Sequence, residues 1–182
     1  MVKPVIVATC FQKISISFFH IIQLKKNLIP FYKKQGNWWL TTLFKLPDES
    51  LKEAADRIAL SNVQVTRNYL ASDRCCVFVE KMKMKIALLN IIMNALESMH
   101  RQPGSILNLE TKETKARCEI KVSDNGPGMN NETVMRIFEP YFTTKKTGNG
   151  LGMTNTLNII WIIKEKYRLR ADKARARAVR LA

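Results

Sequence analysis

Apolar and polar positions fall into order only part of the way along this chain. Up to Leu46 the apolar residues keep no sustained period, and FYKKQGNWWLTTLFKL (31–46) has the composition of a strand without its clean alternation. Order begins at Pro47. Pro-Asp-Glu-Ser followed by LKEAADRIAL predicts a helix with acids in its first turn. VQVTRNYL (63–70) and Val77–Val79 predict two strands on either side of a turn at Ala71-Ser72-Asp73. A long helix rich in Met, Leu, Ile and Ala is predicted from Glu80 to Met99, stopped by Pro103-Gly104. Ile106–Glu110 and Cys118–Val122 alternate and predict an antiparallel pair. From Val122 to Gly152 the chain is rich in Gly, Asn, Thr and Pro, and a loop that long inside a compact domain is usually functional. A further helix is expected from about Leu151 through Ile163.

Composition changes this picture mainly at the two ends. A chain of 182 residues, 46% hydrophobic and 25% charged, is one domain long with some extension and can bury a useful core. Its net charge is +15, but residues 1–46 carry seven Lys and no acid, and residues 161–182 carry eight Lys or Arg against two acids. Basic ends can meet nucleic acid or anionic lipid. Neither end holds a nucleic-acid motif, so solvated tails are expected and no nucleic-acid partner is favoured. Val5–Leu24 is the one candidate for membrane association, and Gln12 and Lys13 interrupt its middle, where a charge is costly. Cys10, Cys75, Cys76 and Cys118 show no C-x-x-C spacing, and His20 and His100 lie far from them, which argues against zinc and for reduced thiols in a cytoplasmic protein.

Four short segments carry candidate chemistry. Asn90 and Asn94 stack on one face of the long helix, with Glu97 three residues on, while Leu88, Leu89, Ile92, Leu96 and Met99 cover the other faces. Amides on an apolar helix need partners, either a neighbouring backbone or a ligand. Asp124-Asn125-Gly126-Pro127-Gly128-Met129 follows a predicted strand: a carboxylate there can accept from an amine and Gly lets a ligand approach the backbone, but a plain tight turn reads the same way. Phe138-Glu139-Pro140-Tyr141-Phe142-Thr143-Thr144-Lys145 could anchor a mobile loop by its aromatics, with Lys145 reaching a phosphate or only solvent. Gly148-Asn149-Gly150-Leu151-Gly152-Met153 opens a helix, where exposed N–H groups favour phosphate, although a lone G-x-G-x-G is weak evidence.

In this order the four segments resemble the ATP-binding domain of sensor histidine kinases, within the GHKL superfamily that also holds gyrase B subunits and heat-shock chaperones. LLNIIMNALESM resembles the N box, DNGPGM the G1 box, FEPYFTTK the F box and GNGLGM the G2 box, over about Leu51 to Ile160, in a form most similar to kinases of the nitrogen-regulation type. The resemblance implies a Bergerat-type α/β (α+β) two-layer sandwich with a mixed, mainly antiparallel sheet and helices on one face. It implies ATP and Mg²⁺ as cofactors. Asn94 would hold the metal and Asn90 support the phosphate end. Asp124 would meet the adenine amine, with Gly126 and Gly128 beside the base and ribose. Lys145 would reach the phosphates, Gly148, Gly150, Leu151 and Gly152 would cradle them, and residues 129–152 would form a lid pinned by Phe138 and Phe142. Superfamily members that hydrolyse ATP carry a Glu four residues before the metal Asn. Here Asn90 stands there, and an amide cannot act as a general base. The implied reaction is therefore transfer of the γ-phosphoryl to a histidine on a separate dimerisation domain, ahead of a response regulator.

Two departures qualify that expectation. Neither His20 nor His100 has the flanking acid and Asn-Pro of an acceptor helix, and Ser50–Leu60 resembles only the end of such a domain. After Ile160 the family continues with a Gly turn and two closing strands, whereas this chain runs WIIKEKYRLRADKARARAVRLA. A shifted reading frame or truncated gene is expected from these changes, with a sheet incomplete at its C-terminal edge. The expected organisation is an unassigned segment 1–46, an ATP-binding domain 47–160 and a basic helical tail 161–182. A non-catalytic nucleotide-binding fragment is the alternative to an active kinase domain.

Overall fold

The computed structural model describes residues 7–9, 13–19, 38–42, 45–70, 76–100, 102–113 and 117–163. The turn expected at Ala71-Ser72-Asp73, Cys10, Cys75, His20 and the tail beyond residue 163 lie outside them. The elements in chain order are β1 (Val7–Thr9), β2 (Lys13–Phe19), β3 (Trp38–Thr42), α1 (Lys45–Glu53), α2 (Ala55–Ser61), β4 (Gln64–Tyr69), β5 (Cys76–Glu80), α3 (Lys81–Ser98), β6 (Ile106–Glu113), β7 (Arg117–Asp124) and α4 (Asn131–Arg136). A last helix, α5, covers the described residues 152–163.

Five strands form one sheet in the order β1-β2-β7-β6-β4, antiparallel throughout except where β4 runs parallel to β6. β3 and β5 form a separate antiparallel pair. The period of two in β6 decides which side of the sheet the helices take. Leu107, Leu109 and Thr111 point into the core, joined by Ile120 and Val122 of β7. The opposite face is polar: Thr66 Oγ1 donates to Asn108 Oδ1 at 2.9 Å, Asn108 Nδ2 to Glu110 Oε1 at 2.8 Å, and Lys121 Nζ to Glu110 Oε2 at 3.3 Å. A sheet with one apolar and one polar face buries the first and hydrates the second, giving two layers.

The helical layer is centred on α3. Met84, Ala87, Leu88, Ile91, Ile92, Ala95 and Leu96 recur every three or four residues and are buried, so this face lies over β6 and β7. Met153, Ile159, Ile160 and Ile163 of α5 and Leu46, Leu51 and Ala54 from the α1 region complete the same cluster. Lys81 and Lys85 of α3 pair with Glu49 and Glu53 of α1. These pairs are partly exposed and stabilise little, so burial of Leu46 and Leu51 is what seats α1.

Three elements differ from the sequence reading in detail. The helix predicted at Pro47 starts by Lys45 and divides at Ala54 into α1 and α2, because buried Ala54 sits in a turn between them. The stretch 123–152 is not all loop: it contains α4, capped by Asn130, whose side chain accepts from Thr133 N at 2.8 Å. The apolar N-terminal stretch is extended where described, and no helix among the described residues is long and apolar enough to cross a membrane.

A further difference concerns the edge of the sheet. The far side of β7, where closing strands after residue 160 are expected in the family pattern, is paired with β2 over seven residues from Lys13↔Ser123 to Phe19↔Arg117. β1 then pairs with β2 from Val7↔Ser15 to Thr9↔Lys13. An unpaired row of N–H and C=O groups on β7 is thereby satisfied by residues far ahead of it in the chain rather than by residues that follow it.

This pairing predicts the effect of a proline. Ser15 lies between Val7 of β1 and Lys121 of β7, so its N–H meets a neighbouring strand whichever side it points to. Ser15→Pro removes one ladder bond, at a cost of about 1–3 kcal/mol. The thermal midpoint should fall by roughly 3–10 °C, measured by calorimetry. An unchanged midpoint would show that β2 does not belong to the sheet in solution.

Candidate functional site

The polar edge of α3 organises the site. Asn90, Asn94 and Ser98 stand one turn apart, about 6 Å along the axis at each step, and each meets a different segment of the chain. At the first station Asn90 Nδ2 donates to the carbonyl of Gly152 at 3.0 Å and lies 3.4 Å from Thr156 Oγ1. The Thr156 hydroxyl is buried and donates back to the same Gly152 carbonyl at 2.9 Å. The start of α5 is thus tied to α3 through the Asn90 amide, which meets both the Gly152 carbonyl and the Thr156 hydroxyl. Asn90 serves here as a strap for the Gly152 turn.

At the second station the Lys145 ammonium donates to Asn94 Oδ1 at 2.7 Å and to Glu97 Oε2. Asn94 and Lys145, 51 residues apart in sequence, are therefore brought together. Glu97 was noted in the sequence only as sharing a face with the two Asn; its spacing of three from Asn94 is the signal that could have placed it in the site. The Asn94 oxygen already accepts from a cation, which fits a donor set for Mg²⁺, an ion that takes few protein oxygens and otherwise uses water and phosphate.

At the third station Ser98 Oγ reaches Asp124 Oδ1 at 3.4 Å, and Gly126 N donates to the same oxygen at 3.0 Å. Both bonds fall on Oδ1. Burial raises the Asp124 carboxyl above the ordinary aspartate range, opposed by the bonds from Gly126 and Ser98. Gly126 lies close under two side chains: a Cβ there would sit 2.7 Å from Ser98 Oγ and 2.9 Å from Asp124 Oδ1, and both would have to turn out of their present bonds. Asn125 fixes the turn by accepting from Ile106 N at 2.8 Å and donating to the Gly104 carbonyl at 2.9 Å, and Gln102 Nε2 donates to the Asn125 carbonyl at 2.9 Å. Gly128 follows in the same turn. Ser98, Asn125 and Thr156 carried no separate signal in the sequence, because each acts through a neighbour brought close only by the fold.

Residues from Met129 to Leu151 arch from the third station back to the first. Phe138 packs partly buried against the core and its carbonyl accepts from Thr154 Oγ1 at 3.2 Å. The Arg136 guanidinium lies 4.4 Å over the Phe142 ring and pairs with Glu132 and Glu139, both at 3.1 Å. The arch closes on itself where Tyr141 N donates to the Gly150 carbonyl at 3.1 Å. At that crossing Gly150 has φ +65° and Tyr141 φ +66°, and a Cβ on Gly150 would sit 2.6 Å from the Tyr141 carbonyl oxygen. No other residue fits there. Gly148 lies beside Thr143, and the Leu151 N–H is turned onto Asn149 Oδ1 at 3.2 Å. Gly152 has room for a Cβ, its nearest neighbour being Asn90 at 3.7 Å, so packing within the chain does not explain it.

Comparison with known proteins places this arrangement. The model of the family described as histidine kinase-, DNA gyrase B-, and HSP90-like ATPase matches residues 80–175. Sporulation kinase C of Bacillus subtilis is 33% identical over 101 residues, covering 56% of this chain and 23% of that protein. Sporulation kinase D of the same organism is 32% identical over 123 residues, covering 68% of this chain and 24% of that protein. The chain thus spans about a quarter of the length of these relatives. The catalytic domain of histidine kinase ThkA, solved free of nucleotide, shares the fold with a TM-score of 0.60 at 23% identity, over 67% of this chain and 78% of that one.

The burial of Asp124 has a consequence for stability. A carboxyl whose pKa is raised on folding costs stability above that raised value and costs nothing below the ordinary aspartate range. Asp124→Asn keeps an oxygen for Gly126 and Ser98 and removes the buried charge. The nucleotide-free variant should melt at or above the wild-type temperature at pH 7. Its advantage should shrink as pH falls through that window and vanish below it, followed by thermal melts between pH 3 and 7. A lower melting temperature at pH 7 would contradict this account.

Proposed function

Because this chain belongs to the family of histidine kinase-, DNA gyrase B-, and HSP90-like ATPases, we propose that it is the ATP-binding catalytic domain of a sensor histidine kinase, delivering the γ-phosphoryl of Mg-ATP to a histidine on a separate dimerisation domain. The observation that carries the reading is the row of three stations along α3. A half-buried carboxylate at one end suits an adenine amine, and an amide oxygen already holding a cation in the middle suits a metal. A glycine with unexplained space begins α5 at the other end and suits a phosphate.

Each residue has a part in this reading. Asp124 accepts from the adenine amine and selects the base. Gly126 and Gly128 keep the backbone low beside it. Asn94 holds Mg²⁺, which supplies neutralisation of phosphate charge. Lys145 turns to the phosphates, and Gly148, Gly150, Leu151 and Gly152 line their path. Phe138 and Phe142 root the arch as a lid. Catalysis is positioning and charge neutralisation, as phosphoryl transfer requires. Asn90 donates its amide hydrogens to Gly152 and Thr156 and has no basic atom to take a proton from water, which supports transfer over hydrolysis. The response regulator of a two-component pair is the downstream partner in this reading. ThkA has been solved with the response regulator TrrA, and that likeness to this chain, at 19% identity, is one of fold.

Binding of ATP in the presence of Mg²⁺ to the purified chain tests the reading. Asp124→Asn places an amide donor opposite the adenine amine, a mismatch of about 1–3 kcal/mol, and should weaken ATP binding by roughly tenfold or more. Asn94→Ala should abolish the part of ATP affinity that depends on Mg²⁺. Equal ATP affinity in the wild type and Asp124→Asn would remove the site assignment.

A second measurement addresses the reaction. Incubated alone with γ-labelled ATP and Mg²⁺, the chain should gain no acid-labile, alkali-stable label, because His20 lacks the flanking acid of an acceptor and His100 is fixed at the end of α3. Label should appear on a supplied histidine-containing dimerisation domain. Steady-state phosphate release that is lost on mutating Asn90 would instead identify a hydrolase.

A further inference from the structure

Glu97 is charged, lies within the site, and has no role in the reading above. It is half exposed, three residues beyond Asn94 on the same face of α3, and its carboxylate holds the Lys145 ammonium together with Asn94 Oδ1. Lys145 also bonds backward, its N–H to Thr143 Oγ1 at 3.1 Å, so the segment 143–145 is folded against α3 by this one side chain. The cation therefore occupies the oxygen that a metal would need. Mg²⁺ binds oxygen at about 2.0–2.1 Å. An ammonium 2.7 Å from the same oxygen would then stand within about 5 Å of a divalent ion, and the two cations repel strongly at that range. Asn94 can serve one or the other.

We propose that Glu97 is a positioning and specificity-determining residue that parks Lys145 on Asn94 and so makes the site discriminate metal-bound from metal-free nucleotide. This inference rests on the nucleotide reading of the site. Without metal, a polyanionic nucleotide meets the Glu97 charge and a Lys145 already neutralised by it. With metal, Mg²⁺ displaces the ammonium from Asn94. Lys145 is released to the phosphates, and Glu97 accepts hydrogen bonds from metal-bound water. The exchange keeps each charge partnered at both stages. Glu97 touches no reacting atom; it acts through Lys145 and the metal.

The test uses the full chain, Glu97→Gln and Lys145→Ala, with two readouts. The first is hydrogen exchange over residues 140–150 in nucleotide-free protein. Both variants should exchange about five- to tenfold faster there than the wild type, with the rest of the chain unchanged. The second is the affinity for ATP with Mg²⁺ and with the metal chelated. Glu97→Gln removes one negative charge beside the phosphates and frees Lys145. The ratio of metal-bound to metal-free affinity should therefore fall by about tenfold, mostly through tighter binding of metal-free ATP. Glu97→Asp, which keeps the charge on a shorter arm, should lie between Glu97→Gln and the wild type on both readouts. ATP binding whose metal dependence is the same in the wild type and Glu97→Gln would overturn this proposal and leave the nucleotide site standing. Unchanged exchange over 140–150 in both variants would overturn it as well. A wild-type chain that binds no ATP at any Mg²⁺ concentration would overturn the nucleotide reading itself.

Discussion

One helix has to satisfy two surfaces at once. α3 buries Leu88, Ile91, Ile92, Ala95 and Leu96 against the sheet, and this apolar face fixes its height and rotation. The same rotation turns Asn90, Asn94, Glu97 and Ser98 to the edge where the Asp124 turn, the Lys145 segment and the start of α5 converge. Positions of the polar atoms are therefore set by core packing, which tolerates little displacement. A residue that altered the seat of α3 would move all three stations together. The dependence runs the other way as well, since the Asn90 bond to Gly152 helps hold α5, whose Ile159, Ile160 and Ile163 complete the core beneath.

The sheet imposes a second constraint. β7 carries Asp124 at its end, and a strand is a firm platform only when both its edges are paired. β6 supplies one edge through a register that puts Leu109 opposite Val122 and Glu110 opposite Lys121. β2 supplies the other. Closing strands from the far end of the domain are not needed for this purpose among the described residues. What matters physically is that the N–H and C=O groups of β7 are met, and seven residues of extended chain from anywhere in the sequence can meet them.

Much of this was legible in the sequence, and for identifiable reasons. α3 announced itself by composition and length, and β6 and β7 by alternation, because their burial follows a local period. The four motifs ordered the site before any geometry was known. The strands β1 and β2 were missed although β2 carries a signal: Ile14, Ile16 and Phe18 alternate with Lys13, Ser15 and Ser17, but the alternation is short and lies in a stretch weighed for its total hydropathy rather than its period. Helix α4 was hidden by the Gly- and Asn-rich surroundings that mark the same stretch as a loop. Asn90 was placed at the phosphate end from its motif, and its bond to the Gly152 carbonyl is a fact of tertiary structure that spacing alone does not contain. Glu97 was visible as a position but not as a partner, since Lys145 stands 48 residues away.

The pairing of β2 with β7 also sets an order in time. Residues 13–19 leave the ribosome about a hundred residues before residues 117–124 exist. At roughly 5–20 residues per second, that interval lasts on the order of 5–20 seconds. Through it an apolar strand waits with its main partner unmade, while β6 and β7 need only a short connection to find each other. Closing so wide a span is entropically costly and slow compared with the local hairpin. Of the pairings in the described sheet this one joins the strands farthest apart in the chain, so β2 spends longest without its main partner during synthesis.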